Sequence, residues 1–231
     1  MSASPDNYRA SYDRVAADYA RQFHHEMARK PFDRLMLDWL VARIAGGGTI
    51  CDMGCGPGQI ARYLHDQGAA VGGIDFSGAM VQEAQRLHPA IPFQQGDMLA
   101  LTGVASASFA GIAAFYSIIH IPRPQVVQAL NELRRILLPG GTLLLTFHIG
   151  TGIRQMAEWY GQPVDLDFLF FEREEMKGYL GAAGFMLDEV IERDPYVGVE
   201  VETRRAYIFA HKPADPVTEP GSLEDSDDTS G

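Results

Sequence analysis

From residue 49 to residue 148, short apolar segments alternate with segments whose apolar residues recur every three or four positions. The apolar segments predict strands near 49–53, 70–75, 91–95, 109–115 and 141–148. The helical periodicity predicts helices near 58–67, 77–87 and 124–138. Strands buried on both faces are continuously apolar, as Leu143 to Leu145 are, and alternation with helices indicates parallel pairing. This part of the chain is therefore expected to form an open α/β sheet.

Two further regions flank this alternation. Residues 6–45 show helical spacing in two pieces, and the first piece carries several aromatic residues on one face. Residues 150–171 are aromatic and irregular, so we interpret them as an insertion that contributes to a substrate pocket, with core filling beneath an inserted helix as the alternative. A helix near 172–183 then precedes two apolar segments, 185–193 and 203–211, which predict a closing antiparallel pair.

A glycine-rich turn between the first strand and the first helix carries the strongest chemical signal. Gly54, Gly56 and Gly58 occupy alternate positions, and Asp52 lies two residues before the first of them. Alternate glycines let a backbone turn sharply and approach a ligand closely, and the amides at a helix start favour negative charge. A dinucleotide fingerprint would need glycine where the chain has Gln59. The spacing therefore argues against an NAD-dependent oxidoreductase.

A second acid, Asp75, ends the second predicted strand. An acid about 20 residues beyond the glycine turn suits hydrogen bonding to ribose hydroxyls, which indicates an adenosine-type ligand. The run from Asp52 to Gly58 resembles the first motif of the class I S-adenosylmethionine-dependent methyltransferases. The resemblance covers roughly residues 10–211 and is of the small-molecule type.

The resemblance implies a Rossmann-like, doubly wound, mostly parallel seven-stranded sheet with an antiparallel last strand and helices on both faces. It also implies three regions. These are an N-terminal helical lid at 1–45, a methyltransferase domain at 46–212 with the pocket insertion at about 150–171, and a disordered acidic tail at 213–231.

The implied cofactor is S-adenosyl-L-methionine, with S-adenosyl-L-homocysteine as the product. The glycines would wrap its methionine end, Asp75 would hold the ribose, and Asp97 would accept a hydrogen bond from the adenine amino group. The residues expected at the cofactor are Tyr12, Tyr19, Asp52, Gly54, Cys55, Gly56, Gly58, Asp75, Phe76, Met80, Gly96, Asp97, Met98 and Phe115. An ordinary turn at Asp97 and ordinary helix packing for the two tyrosines stay open as alternatives.

Three side chains at the carboxyl ends of strands four and five are candidates for catalysis: Tyr116, His120 and His148. Methyl transfer from a sulfonium needs in-line alignment, a dry site, and a base if the nucleophile carries a proton. His120 is the first candidate for that base and His148 the second, because imidazole titrates near neutral pH. Packing roles for both histidines, and catalysis by positioning alone, stay open.

Charge and composition mainly exclude classes of function. The formal net charge is −11, and residues 213–231 contribute six acids and no Lys or Arg, which leaves 24 acids against 19 bases. A chain without a basic stripe is not expected to bind nucleic acid. The acids Asp165, Asp167, Glu172, Glu174 and Glu175 are interpreted as a solvated face that disfavours an anionic substrate such as a nucleic-acid backbone.

The two cysteines, Cys51 and Cys55, both lie in the glycine motif, so no disulfide framework and no metal site are expected. The polar start of the chain is no secretory signal, and a cytoplasmic protein with no membrane contact is expected. The expected partner is a small, partly aromatic methyl acceptor, methylated at oxygen or nitrogen, and the expected state is a monomer or homodimer. The alternatives are a methyltransferase acting on tRNA or another macromolecule, and a non-catalytic module that binds the same cofactor.

Overall fold

The computed structural model describes residues 5–44 and 46–214. The helices are α1 (Pro5–Phe23), α2 (Pro31–Arg43), α3 (Gln59–Asp66), α4 (Gly78–Leu87), α5 (Val126–Ile136) and α6 (Arg173–Ala182). The strands are β1 (Ile50–Met53), β2 (Val71–Asp75), β3 (Phe93–Gln95), β4 (Phe109–Phe115), β5 (Leu137–His148), β6 (Ile153–Trp159), β7 (Gln162–Leu169), β8 (Met186–Arg193) and β9 (Arg205–His211). Short 3₁₀ turns occur at Glu26–Arg29, Ile118–His120 and Arg123–Gln125.

Seven of these strands form one sheet in the order β3-β2-β1-β4-β5-β9-β8. The pairs among β1 to β5 are parallel, whereas β9 runs antiparallel between β5 and β8. This confirms the predicted seven-stranded sheet with its antiparallel last strand. The order changes direction between β1 and β4, which places a crevice at the carboxyl ends of the parallel strands.

Helices cover both faces of the sheet because each presents one apolar stripe. In α5 the buried residues recur at intervals of three and four, from Val126 through Ala129, Leu130 and Leu133 to Ile136. They join one core with α6 and one face of the sheet. A second core joins α2, α3 and α4 to the other face. The doubly wound arrangement is therefore confirmed.

Helix α1 packs against α4 and β7, in contrast to α2, which packs on the sheet. Its residues Tyr8 and Val15 are buried against Val164 and Leu166 of β7. Polar contacts extend this interface: Asn7 donates to Asp165 at 2.7 Å, and Arg14 donates to the carbonyl oxygen of Pro163. Asp13 accepts from the backbone amide of Ala79 in the first turn of α4 at 3.1 Å. The first predicted helical piece thus connects α4 with β7.

The prediction that residues 150–171 are irregular is wrong, and the alternative of an inserted helix is not found there either. Strands β6 and β7 form a separate antiparallel hairpin, with Trp159 opposite Gln162. Tyr160 and Gly161, at the turn, have φ values of 53° and 73°, the left-handed region that tight hairpin turns require. The apolar residues of β7 alternate with acids, which is strand spacing, whereas exposed β6 has little apolar patterning.

Parts of the predicted regions fall outside the described residues. They are residues 1–4 and 45 of the N-terminal segment, and residues 215–231 of the predicted disordered tail. Within 5–44 and 46–214, none of the helices combines the length and apolar character needed to cross a bilayer.

Candidate active site

A cavity of about 520 Å³ opens where the parallel strands end. It is lined by residues that follow β1, β2, β4 and β5, together with residues of α1 and of the β6–β7 hairpin. All three residues predicted to be catalytic line it, and so do all the residues predicted to meet the cofactor except Gly58. The structure thus brings together, in one cavity, side chains that lie far apart in the sequence.

The glycine turn has the backbone that its spacing predicts. Gly54, Gly56 and Gly58 have φ values of 73°, 51° and 86°, all in the left-handed region. A Cβ on Gly54 would overlap the Cβ of Ser117, so this glycine serves close packing. A Cβ on Gly56 would make only ordinary contacts, 3.8 Å from the ring of Tyr19 and 4.0 Å from Oε1 of Gln59. Gly58 packs against Phe93 and His88, which explains why it does not line the cavity.

Two buried acids hold this turn in place. The carboxylate of Asp52 accepts from the amide of Ala61 at 2.9 Å and so ties β1 to α3. Asp75 accepts from the amides of Gly56 and Ser77, both at 2.8 Å. Burial raises the pKa of Asp52 to about 8 and that of Asp75 to about 6, although the backbone amides moderate both pKa increases. Asp75 therefore joins the glycine turn to the end of β2.

The segment that follows β3 contributes Gly96, Asp97 and Met98 to the lining. Asp97 accepts from the amide of Leu99 at 2.9 Å, so it forms the turn that the sequence left open as its alternative role. A Cβ on Gly96 would lie 2.8 Å from a methyl group of Ile74, which favours glycine there. Four other predicted cofactor residues border the same cavity: Cys55, Phe76, Met80 and Phe115.

Tyr12 and Tyr19 place α1 over the cavity. The Tyr12 hydroxyl lies 2.6 Å from Nε2 of His120. The Tyr12 ring makes edge contacts with Phe76 and Trp159, each with a centroid separation of 6.0 Å. The Tyr19 ring makes an edge contact with Trp159 at 5.3 Å. Aromatic rings of α1 and of the hairpin therefore share one wall.

His120 uses both ring nitrogens within the protein. Nδ1 lies 3.0 Å from the carbonyl oxygen of Asp167, which can only accept, so Nδ1 carries the hydrogen. Nε2 is then unprotonated and accepts from the Tyr12 hydroxyl. Burial lowers the pKa of His120 to about 4. The imidazole is neutral near pH 7 and connects α1 to the hairpin.

Tyr116 and His148 lie side by side, with ring centroids 4.8 Å apart and an interplanar angle of 27°. His148 bonds through Nδ1 to the Thr203 hydroxyl at 2.7 Å, and burial, with Arg205 next in importance, lowers its pKa to about 4. Tyr116 has a φ of 52°, an uncommon value for a residue other than glycine. Its hydroxyl lies 3.4 Å from that of Tyr207.

Several residues at this site were not predicted from the sequence. Tyr207 donates to Asp33, which also accepts from Arg193 at 2.9 Å. The partners Asp33 and Tyr207 are 174 positions apart, so no local pattern links them. A second set, Glu26 with Lys30 at 2.6 Å and Gln59 at 2.8 Å, includes an i, i+4 pair whose spacing could have been noticed.

Comparison with known proteins decides the family. The methyltransferase-domain family matches residues 50–141. The 2-phytyl-1,4-naphtoquinone methyltransferase of Thermosynechococcus vestitus is 33% identical over 161 residues, which are 65% of this chain and 67% of that protein. The chain belongs to the class I S-adenosylmethionine-dependent methyltransferases. S-adenosylmethionine is the cofactor of that family.

Two further likenesses bear on this methyltransferase. The malonyl-[acyl-carrier protein] O-methyltransferase of Enterobacter lignolyticus is 36% identical over 137 residues, and the match spans about half of that protein, 51%. A structure of the 1,6-didemethyltoxoflavin-N1-methyltransferase of Burkholderia thailandensis, with S-adenosylhomocysteine bound, superposes with a TM-score of 0.65. It is 20% identical, and the superposition covers 92% of each chain. This last likeness supports the fold.

The residues of the cavity fit this cofactor. The Oγ atom of Ser117 and the Oε1 atom of Gln59 are buried without a hydrogen-bond partner, and both residues line the cavity. A ligand that brings ammonium or hydroxyl donors would satisfy them. Gly56, which lines the cavity without a side chain, and the buried carboxylate of Asp75 complete a surface suited to an amino acid joined to a nucleoside.

Proposed function

We propose that this methyltransferase transfers the methyl group of S-adenosylmethionine to an oxygen or nitrogen atom of a small, partly aromatic molecule. The observation that carries the proposal is a cavity lined both by the glycine turn with Asp75 and by aromatic side chains outside that turn. The latter are Phe23, Trp159, Tyr160, Phe168 and Phe170. Aromatic walls favour flat or apolar ligands.

The residues of the lining divide into roles by position. Gly54, Cys55 and Gly56 hold the methionine portion of the cofactor, and Asp75 accepts from the ribose hydroxyls. Phe76, Met80, Gly96, Asp97 and Met98 would hold the adenine. Tyr12, Tyr19 and Phe115 bound the cofactor from the remaining sides. Asp52 and Gly58 act indirectly, because they fix the turn and the start of α3.

When bound, S-adenosylmethionine supplies a methyl group activated by a positively charged sulfur. The protein contributes alignment of the acceptor and exclusion of water. His120 contributes as a positioning residue, because both of its nitrogens hold other parts of the protein. Tyr116 and His148 lie where an acceptor would be held, and their stacked rings offer a flat surface to it. Catalysis therefore depends mainly on positioning.

The names of the relatives support an acceptor other than nucleic acid. They refer to a naphthoquinone, to ubiquinone biosynthesis and to a malonyl group on an acyl-carrier protein. We also propose that the protein is a monomer or a homodimer and that its partner is a small molecule.

The test is turnover with a panel of phenols, aromatic amines and aromatic carboxylic acids, with S-adenosylhomocysteine measured by mass spectrometry. We expect product above the acceptor-free background with at least one class. An Asp75→Asn variant, which removes the ribose-binding carboxylate, should lose this product. Tight binding of S-adenosylhomocysteine with no turnover on any acceptor would instead favour a non-catalytic cofactor-binding module.

A further inference from the structure

One part of the cavity lining carries a cluster of positive charge, formed by Lys30, Arg154 and Arg205. The Lys30 ammonium lies 5.8 Å from the ring centroid of Tyr116, and Tyr116 stacks on His148. All three cations lower the pKa of His148, whereas Glu200 alone among the acids raises it. These cations therefore outnumber the acids that act on His148, whereas Asp33 is the charge with the largest effect on Tyr116.

These cations differ in how they are paired. Lys30 pairs with Glu26 at 2.6 Å, and Arg205 pairs with Glu200 at 3.3 Å while donating to backbone carbonyls of the same loop. Arg154, on β6, forms no ion pair with any residue within the described ranges. Residue Phe168, its partner on β7, also lines the cavity. Arg154 is thus a cation at an aromatic-lined cavity that is available to a ligand.

The acids of the neighbouring segment do not cancel this charge. Glu175 pairs with Arg123, Glu174 pairs with Lys177, and Asp165 accepts from Asn7. None of the five acids that the sequence analysis grouped together, at positions 165, 167, 172, 174 and 175, lines the cavity. The expectation that they disfavour an anionic substrate therefore does not apply to the cavity itself.

The groups at the stacked pair are poor bases: the carboxylates of Asp33 and Glu200 are both paired with Arg193. His120 has both nitrogens engaged, and burial lowers the pKa of His120 and of His148 to about 4. Burial raises the pKa of the Tyr12 and Tyr116 hydroxyls, so neither is an anion near neutral pH. An alcohol or a protonated amine needs a base to become nucleophilic. A carboxylate does not, because it is already ionised at neutral pH.

We propose that the methyl acceptor is an aromatic carboxylic acid, bound as its carboxylate beside Tyr116 and His148 and selected by Arg154. The inference rests on the proposed function and specifies its substrate class. A carboxylate oxygen forms the new bond to the methyl carbon while the carbon–sulfur bond breaks, and that electron pair stays on sulfur. The products are a methyl ester and neutral S-adenosylhomocysteine. The charges of carboxylate and sulfonium cancel, and no proton is released.

The test is calorimetric titration of the enzyme saturated with S-adenosylhomocysteine. The probes are benzoate, phenylacetate and cinnamate, each beside its uncharged primary amide. At least one acid should bind about tenfold tighter than its amide, the gain expected for a charge-assisted hydrogen bond. Arg154→Gln should remove this preference and leave amide binding unchanged, whereas Arg154→Lys should keep most of it. Arg173→Gln, an arginine of α6 outside the cavity lining, is the matched control.

Two results would overturn the inference: acids that bind no tighter than their amides, or a preference that survives Arg154→Gln. Either result, obtained with intact binding of S-adenosylhomocysteine, leaves the proposed methyl transfer standing. If the wild-type enzyme did not bind S-adenosylhomocysteine, both this inference and the proposed function would be overturned. Turnover of the preferred acid should yield its methyl ester without acidifying a weakly buffered solution, whereas methylation of a phenol releases one proton.

Discussion

At the residue scale, the three glycines of the turn have separate tasks. Gly54 is needed because Ser117 occupies the space that its Cβ would fill. Gly56 lines the cavity and a Cβ there would meet no close contact, so the absence of a side chain leaves room for a ligand. Both have left-handed backbones. A substitution at each position should therefore separate an effect on folding from an effect on binding.

Gly56→Ala should weaken binding of S-adenosylhomocysteine at least tenfold while lowering the free energy of unfolding by only about 1 kcal/mol, the usual penalty for a left-handed alanine. Gly68→Ala is the matched control, because Gly68 has a φ of 85° and open space but lies outside the cavity lining. Gly54→Ala should lower the stability more than either. Calorimetry and urea unfolding measure the two effects. Equal cofactor affinity in the Gly56 and Gly68 variants would contradict this assignment.

Whether a single residue could be predicted depends on how far along the sequence its interaction partners lie. The glycines and Asp75 are predicted because their spacing along a strand, turn and helix is itself the signal. Asp33 is buried against Tyr207 and Arg193, from β9 and β8, and nothing near it in the sequence marks it. Nothing in the sequence distinguishes Arg154 from the other arginines. Only the hairpin places it at the cavity.

At the element scale, α1 and the β6–β7 hairpin form one unit over the cavity. They share the apolar cluster around Tyr8, Val15 and Val164, and the bond between Tyr12 and His120 ties this unit to the end of β4. Because both elements line the cavity, a bound cofactor that contacts either one should stabilise the pair.

Hydrogen exchange measured with and without S-adenosylhomocysteine tests this coupling. Amides of residues 5–23 and 153–169 should gain protection together when the ligand binds. Helix α6, at residues 173–182, lies outside the cavity lining and is the internal control. Protection confined to the glycine turn would contradict this coupling of α1 and the hairpin to the bound ligand.

The elements themselves were predictable to different degrees. The strands from β1 to β4, and helices α3 to α6, match the predicted ranges to within about two residues because each has a clear period. β5 begins at Leu137, ahead of the predicted strand at 141–148, because the chain stays extended through Pro139. Its pairing with β4 shifts register after Phe109. The hairpin was missed because β6 is largely exposed, so only β7 carries strand spacing.

At the scale of the whole molecule, burial of His120 as a neutral ring links stability to pH. Its pKa in the folded protein, about 4, lies below the value of about 6.5 expected for an unfolded chain. The unfolded chain therefore binds more protons between these two values, and stability from this group is lost as the pH falls from 6.5 toward 4. Asp52 and Asp75, whose pKa values are raised, act in the opposite direction.

Comparison with a His120→Gln variant isolates the histidine, because the two acids are common to both proteins. Between pH 7.5 and pH 4.5, the wild type should lose about 2 kcal/mol of unfolding free energy relative to this variant. His65→Gln, a change at an exposed position, should follow the wild type at every pH. Urea unfolding at a series of pH values measures the difference. Parallel pH profiles for the wild type and the His120 variant would show that His120 is not buried as a neutral ring.

The central claim is that the glycine turn and Asp75 hold S-adenosylmethionine. Calorimetric titration with S-adenosylhomocysteine and, separately, with NAD tests it most directly, in the wild type, in Asp75→Ala and in the surface control Asp66→Asn. We predict micromolar binding of S-adenosylhomocysteine to the wild type and the control, loss of that binding in Asp75→Ala, and no binding of NAD. Binding of NAD alone, or an S-adenosylhomocysteine affinity that is unchanged in Asp75→Ala, would contradict the assignment of the glycine turn and Asp75 to S-adenosylmethionine.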